Sequence, residues 1–305
     1  MIKFKILEII PHFANCKFIG DEQTMLSHVI ALRDVDPQQK EMNKGAITWV
    51  SDGNVPAVSP ELSVGLLILS ESAYADLKKI ACNFLIAENP RLTFLKLLSL
   101  KFSSKRNPAI EKTAVIHETA KIGKNCYIGH QVVIEENVVI GDATEILHNT
   151  VILKDTLIGN NVHIGCNSTI GNYGFGYEKD KEGNYILMTH IGNVKIEDFV
   201  EIGNNTAIDR AVMGSTWIKK NVKIDNLVHI AHGVEIGENS LIIANAMIAG
   251  SVRMGENVWV APSASIVDRK EIAKDAFIGM GAVVLRDVKQ GDVIVGNPGK
   301  SIKKD

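Results

Sequence analysis

Nowhere in these 305 residues do two cysteines stand as a C-x-x-C pair. Cys16, Cys82, Cys126 and Cys166 are far apart, which argues against a disulfide framework or a zinc knuckle and reads as reduced cytosolic thiols. An excess of basic charge is lacking too: a net charge of −2 and a pI of about 6.5 leave no footprint for nucleic acid. Long apolar runs are missing. Val64 to Leu69 is far shorter than the ~20 residues that span a bilayer. Met1 to Phe13 is apolar, but Lys3, Lys5 and Glu8 interrupt it and no small-residue cleavage site follows, which reads against a signal peptide. The expectation is a cytoplasmic protein with no membrane span, no nucleic-acid partner, no metal site and no permanently bound cofactor.

What the chain does have is isoleucine at every sixth position from Ile110 to Ile170. Helices bury residues at a period of 3.6 and sandwich strands at 2, so a strict period of six means a turn-plus-strand unit stacked many times. The unit reads aliphatic-Gly-x-x-small-x, as at Ile122-Gly123, Ile140-Gly141 and Ile158-Gly159. Three units close one triangular coil of eighteen residues, with the isoleucines stacked along its axis. The fold class is therefore mainly β: a parallel β-helix of hexapeptide repeats with a small N-terminal α/β domain. One coil cannot cover its own apolar edge, so neighbours supply the stability.

The expected domains are 1–105, 106–288 and a tail, 289–305. In the first, Gly45 to Val50, Val64 to Leu69 and Asn83 to Ala87 read as strands, and Ala73 to Ala81 and Arg91 to Phe102 as helices. Asn89 is placed to cap the second helix and Pro90 suits its first turn. The repeat breaks twice. A charged, turn-like excursion over 172–193 delays its return to Ile196, and four residues are inserted around Met213 and Gly214 before Ile218. Structureless loops as long as the first are commonly functional.

With an aliphatic interior, chemistry has to come from outward polar residues. Of nine histidines, His232 stands third in the hexad that begins at Ile230. One coil onward lies Gly250, and a second coil onward Asp268. Glycine beside histidine leaves room for a substrate and an uncovered N–H. On spacing alone the turn reading of His232 is the favoured one, ahead of catalysis. His130 and His148 are one coil apart in phase, as metal ligands in a γ-carbonic-anhydrase-like β-helix would be, although stacked turn residues explain them as well. A non-catalytic trimeric scaffold is a further alternative.

The run from Ile224 to Gly237, IDNLVHIAHGVEIG, with Thr206 to Arg210 (TAIDR), Gly174 to Tyr177 (GFGY) and Glu88 to Leu95, resembles the UDP-3-O-acylglucosamine N-acyltransferase family, LpxD. The resemblance implies a left-handed coil, a homotrimer with sites between subunits, His232 as general base and the Gly250 N–H as oxyanion donor. Asp209 or Asp225 would orient His232, and Asn226 would join the same polar wall. His229 reads as a turn residue on the preceding face. Trp49 falls where the family stacks an aromatic on uracil, and a second aromatic is not evident. Asp268 and Arg269 replace a family Gly-His pair, which alters a substrate contact. The tail is similar to that of acyl-coenzyme-A-dependent hexapeptide enzymes, with Gly296, Asn297 and Lys300 as coenzyme contacts. The expectation is an N-acyltransferase acting on a nucleotide-linked amino sugar of bacterial surface polysaccharide. Acyl-CoA is the first expected co-substrate. A hydroxyacyl carrier protein, and so LpxD itself, is the second.

Overall fold

The computed structural model describes residues 2–36, 38–103 and 106–302, in two compact units, Met1–Lys105 and Arg106–Asp305. In the first unit, Lys17–Ile19, Asn83–Ile86, Leu66–Leu69, Ala46–Trp49 and His28–Val29 lie side by side in one sheet. Lys17–Ile19 runs antiparallel to Asn83–Ile86, and the other pairs are parallel. Parallel strands buried on both faces need continuous apolar sequence, and all four residues of Leu66–Leu69 are fully buried. Helices Glu71–Leu77 and Pro90–Lys101 are both capped. The Asn89 side chain accepts from the Leu92 N–H at 3.0 Å, and Ser70 does the same for Ala73.

In the second unit, two-residue strands stack into three parallel sheets, with register partners eighteen residues apart in the regular coils: Ile110 on Ile128 on Ile146, Ile116 on Ile134 on Ile152. The axial isoleucines from Ile128 to Ile278 are at most 4% exposed and form one continuous core. Each contributes on the order of 1.5–3 kcal/mol by leaving water. Between strands the chain turns through the left-handed region, with φ of 53–63° at nineteen non-glycine positions among the described residues. Ten of them are asparagine, whose short side chain tolerates that region.

The turns are tied by a second ladder. Lys124 N–H donates to Asp142, Asp142 N–H to Asn160 and Asn160 N–H to Asp198, each side chain reaching from the coil above. Cys166 N–H to Asn204 and Asn204 N–H to Asn226 repeat the pattern. The two breaks in the sequence are seated against each other, because Ile191, Gly192 and Asn193 donate to Val212, Ala211 and Gly214 carbonyls. Within the excursion, Tyr177–Lys179 and Tyr185–Leu187 pair as a hairpin. Buried Arg210 anchors its start through the Gly171 and Lys154 carbonyls. Beyond the last coil, Val293–Val295 pairs with Phe277–Ile278 and, antiparallel, with Lys300–Ser301. Gly296 to Gly299 form the bend of that closing hairpin, and Lys300 is exposed on it.

Candidate active site

A groove of about 820 Å³ runs along one edge of the second unit, and His232, Gly250, Asp268 and Arg269 line it. His232 follows the strand His229–Ile230, which sits in register between Ala207–Asp209 and Met247–Ile248. The next coil therefore carries Gly250 directly beside the imidazole. A Cβ there would stand 2.8 Å from both Cε1 and Nε2 of His232, so glycine is required for the ring to lie where it does. In the corners described above, each amide is taken by a side chain one coil on. The Gly250 N–H has no such partner among the described residues. Asp268 instead receives Arg269, Nε to Oδ2 at 2.8 Å. Burial lowers the His232 pKa from its usual 6.5; a positive charge on the neighbouring His190, whenever that ring carries one, acts in the same direction, and Asp268 acts in the opposite one. A neutral imidazole and a free N–H thus face one groove.

Neither expected carboxylate orients His232. Asp225 is spent on the Asn226 N–H at 2.7 Å, the Asn226 amide at 3.0 Å and the Ala244 N–H at 3.2 Å. Asp209 Oδ2 lies 3.6 Å from Nε2 of His229. Asp209 is 8% exposed, and burial pushes its pKa from 3.8 up to about 7. Burial also lowers His229. Desolvation therefore outweighs mutual attraction, leaving a carboxyl beside a neutral imidazole near neutrality. His229 is a strand residue lining the same groove as His232, so its reading as a turn residue on another face does not hold. Asn226 belongs to the ladder that holds Asn204.

Other residues of the groove take no site role from the sequence, although Phe175 and Met213 lie in stretches marked there as a motif and as a break. Its mouth is apolar, with Phe175 and Met213 88% and 75% exposed. His190, from the return limb of the excursion, is buried against His232 with ring centroids 5.3 Å apart. In the first unit, Trp49 lines a cavity of about 700 Å³ with Phe94, ring centroids 6.4 Å apart, so a second aromatic does stand near it. Gly296, Asn297 and Lys300 lie in the closing hairpin and not among the residues of the His232 groove. His130 and His148 are stacked, and no group of three His, Cys, Asp or Glu among the described residues is placed to hold a metal ion.

The family model for the C-terminal domain of GMPPB matches residues 109–174, and that for bacterial transferase hexapeptide (six repeats) matches residues 215–250. The UDP-3-O-acylglucosamine N-acyltransferase of Campylobacter lari is 43% identical over 129 residues, 42% of this chain and 40% of that protein. Its counterpart in Desulfotalea psychrophila is 39% identical over 137 residues, 45% and 40% of the two chains. Over that stretch the chain is similar to UDP-3-O-acylglucosamine N-acyltransferases of the LpxD kind. The LpxD-like match spans about two-fifths of the length of those relatives. Two solved structures align with 63% of the chain, each with a TM-score of 0.58. One is LpxA, a UDP-N-acetylglucosamine acyltransferase from Bacteroides fragilis, 25% identical over 73% of its chain. The other is the UDP-N-acetylglucosamine acyltransferase of Francisella novicida, 28% identical over 68%. The LpxD-like coil is accordingly a left-handed parallel β-helix, a handedness that register alone does not fix. No helix among the described residues is long and apolar enough to cross a membrane.

Proposed function

We propose that this protein is an N-acyltransferase of the LpxD type, moving an acyl group from a thioester to the amino group of a UDP-linked amino sugar. The observation that carries the reading is the neutral His232 imidazole lying against Gly250, whose N–H is unspent, in an open groove. His232 takes a proton from the sugar amine as the nitrogen attacks the thioester carbonyl. The Gly250 N–H donates to the oxygen as negative charge grows on it. Collapse breaks the C–S bond and His232 returns its proton to the departing thiolate, leaving an amide and a free thiol. Asp268 and Arg269 are placed for contact with a substrate in the same groove. The cavity at Trp49 and Phe94 suits a nucleotide base by its paired aromatics. Phe175 and Met213, too exposed for a finished surface, support a neighbouring subunit and hence a homotrimer.

The curated relatives carry the name of the LpxD reaction, so a hydroxyacyl carrier protein takes first place as donor, ahead of the acyl-CoA suggested by the tail. Acyl-CoA stays second because Lys300 is exposed on the closing hairpin, within reach of a phosphate. The cytoplasm, where both donors occur, is the proposed location. The test offers each thioester with UDP-3-O-acylglucosamine and with other UDP-amino sugars, following thiol release and the mass of the sugar product. One thiol per new amide is expected. If neither donor loses its acyl group with any UDP-amino sugar, the reading fails.

A further inference from the structure

His190 takes no part in the steps above, yet it is the buried group closest to their centre. It is 1% exposed, and its Nδ1 lies 2.7 Å from the Met188 carbonyl oxygen. A carbonyl only accepts, so Nδ1 carries a proton, and in the neutral ring Nε2 is then a bare lone pair. Among the described residues, that Nε2 is the one buried side-chain nitrogen or oxygen without a hydrogen-bond partner. Buried polar atoms are nearly always satisfied, and an exception beside a reactive group calls for an account. The His190 and His232 rings meet edge to face, at 80°. A Cβ on Gly174 would stand 3.0 Å from Nε2 of His190 and 2.9 Å from Cδ2 of His232. The lone pair and the His232 ring therefore border one gap, which glycine leaves open.

We propose that His190 is a positioning residue for His232. It fixes the ring through the edge-to-face contact and presents Nε2 as the acceptor pole for the positive charge that His232 gains when it takes up a proton. The proposal rests on the acyl-transfer reading only for the source of that proton. Other groups face the same region. Asp268, carrying Arg269, stands two coils on; His229 with Asp209 and Glu178 line the groove; Tyr173, with Arg210 over its ring, flanks His190. Of the two carboxylates expected to orient His232, one is held at His229 and the other is spent in the ladder, so the charge on His232 meets an imidazole acceptor in their place.

The test is a nitrogen-15 NMR titration of the full-length protein, with the His232 signals assigned by their loss in His232→Ala. The variants are His190→Leu, which fills the space without an acceptor, and His190→Gln, which brings back a side-chain oxygen. His190→Leu is expected to lower the His232 titration midpoint by about half a pH unit or more, and His190→Gln to restore most of it. In turnover, His190→Leu should lose about tenfold in kcat with little change in KM, regained in the Gln variant. If His190 acted only as a second positive charge, its removal would raise the midpoint. A midpoint that rises or stays, or a Gln variant as defective as Leu, overturns the proposal. The titration needs no acyl transfer, so its outcome does not depend on the reaction proposed for the groove. Should the Leu variant not fold, His190→Met, which also lacks a strong acceptor, is titrated in its place and read with the same signs.

Discussion

Two pairs of imidazoles on the coil, His130 with His148 and His190 with His232, have nearly the same ring separation, 5.4 and 5.3 Å, and opposite chemical states. The first pair is spent. His148 Nδ1 accepts from the His130 N–H at 2.8 Å, and the His130 ring is engaged by Thr113 and Glu111. The rings stack nearly parallel at 20°, as successive members of a ladder must. The second pair meets at 80°, leaves His190 Nε2 without a partner and gives the His232 ring no hydrogen bond among the described residues. The difference lies in the coil geometry. Where partners are eighteen residues apart, each corner side chain reaches the amide below and is consumed. At His232 the column passes through both insertions, His190 arrives from outside the repeat, and Gly250 offers no side chain.

Substitutions can break that contrast. The largest expected effect is His232→Ala, which should cost about 10²–10⁴-fold in turnover while melting and oligomeric state stay as they are. His148→Ala should leave turnover within about threefold and cost at most about 1 kcal/mol, because only the His130 amide loses its acceptor. Next is Gly250→Ala. Its methyl would stand 2.8 Å from the His232 ring and displace it, and steady-state kinetics should register a kcat loss of about ten- to a hundredfold. Asp209→Asn tests the buried acid by denaturant melts across pH. A folded-state pKa raised to about 7 means that the carboxyl's stabilising contribution is present below the unfolded value of 3.8 and is lost as pH rises through 7. The Asn variant should therefore gain on wild type between pH 4 and 7 and hold the advantage above, by about 2 kcal/mol after allowing for partial solvent access. The smallest effect is Asn226→Ala, about 0.5–1 kcal/mol in the same melts, from the freed Asn204 amide.

The axial isoleucines, the corner residues and the cap at Asn89 were legible because each follows from local spacing or local chemistry. Counting eighteen from His232 reached Gly250 correctly, since no insertion intervenes. Backward the eighteen-residue count does not apply: Ile230 pairs with Ile208, twenty-two residues earlier, and side-chain direction then sets Asp209 beside His229 rather than His232. His190 lies inside the excursion, where register partners are thirty-eight residues apart, as in Ile170 on Ile208, and no period predicts its place. Phe94 was invisible as a neighbour of Trp49 for another reason: one sits on a helix and the other on a strand, and only packing joins them.

The measurement closest to the central claim is the pH dependence of kcat/KM in the wild-type protein. Burial lowers His232, so the free base is lost only below 6.5. A general base of that kind predicts a level rate around pH 7 and above, falling tenfold per pH unit below a single midpoint under 6.5. That limb should be absent from the residual rate of His232→Ala. An acid limb that persists unchanged in His232→Ala would contradict the role given to His232, and a limb centred on about 7 that vanishes in Asp209→Asn would transfer it to the buried carboxyl.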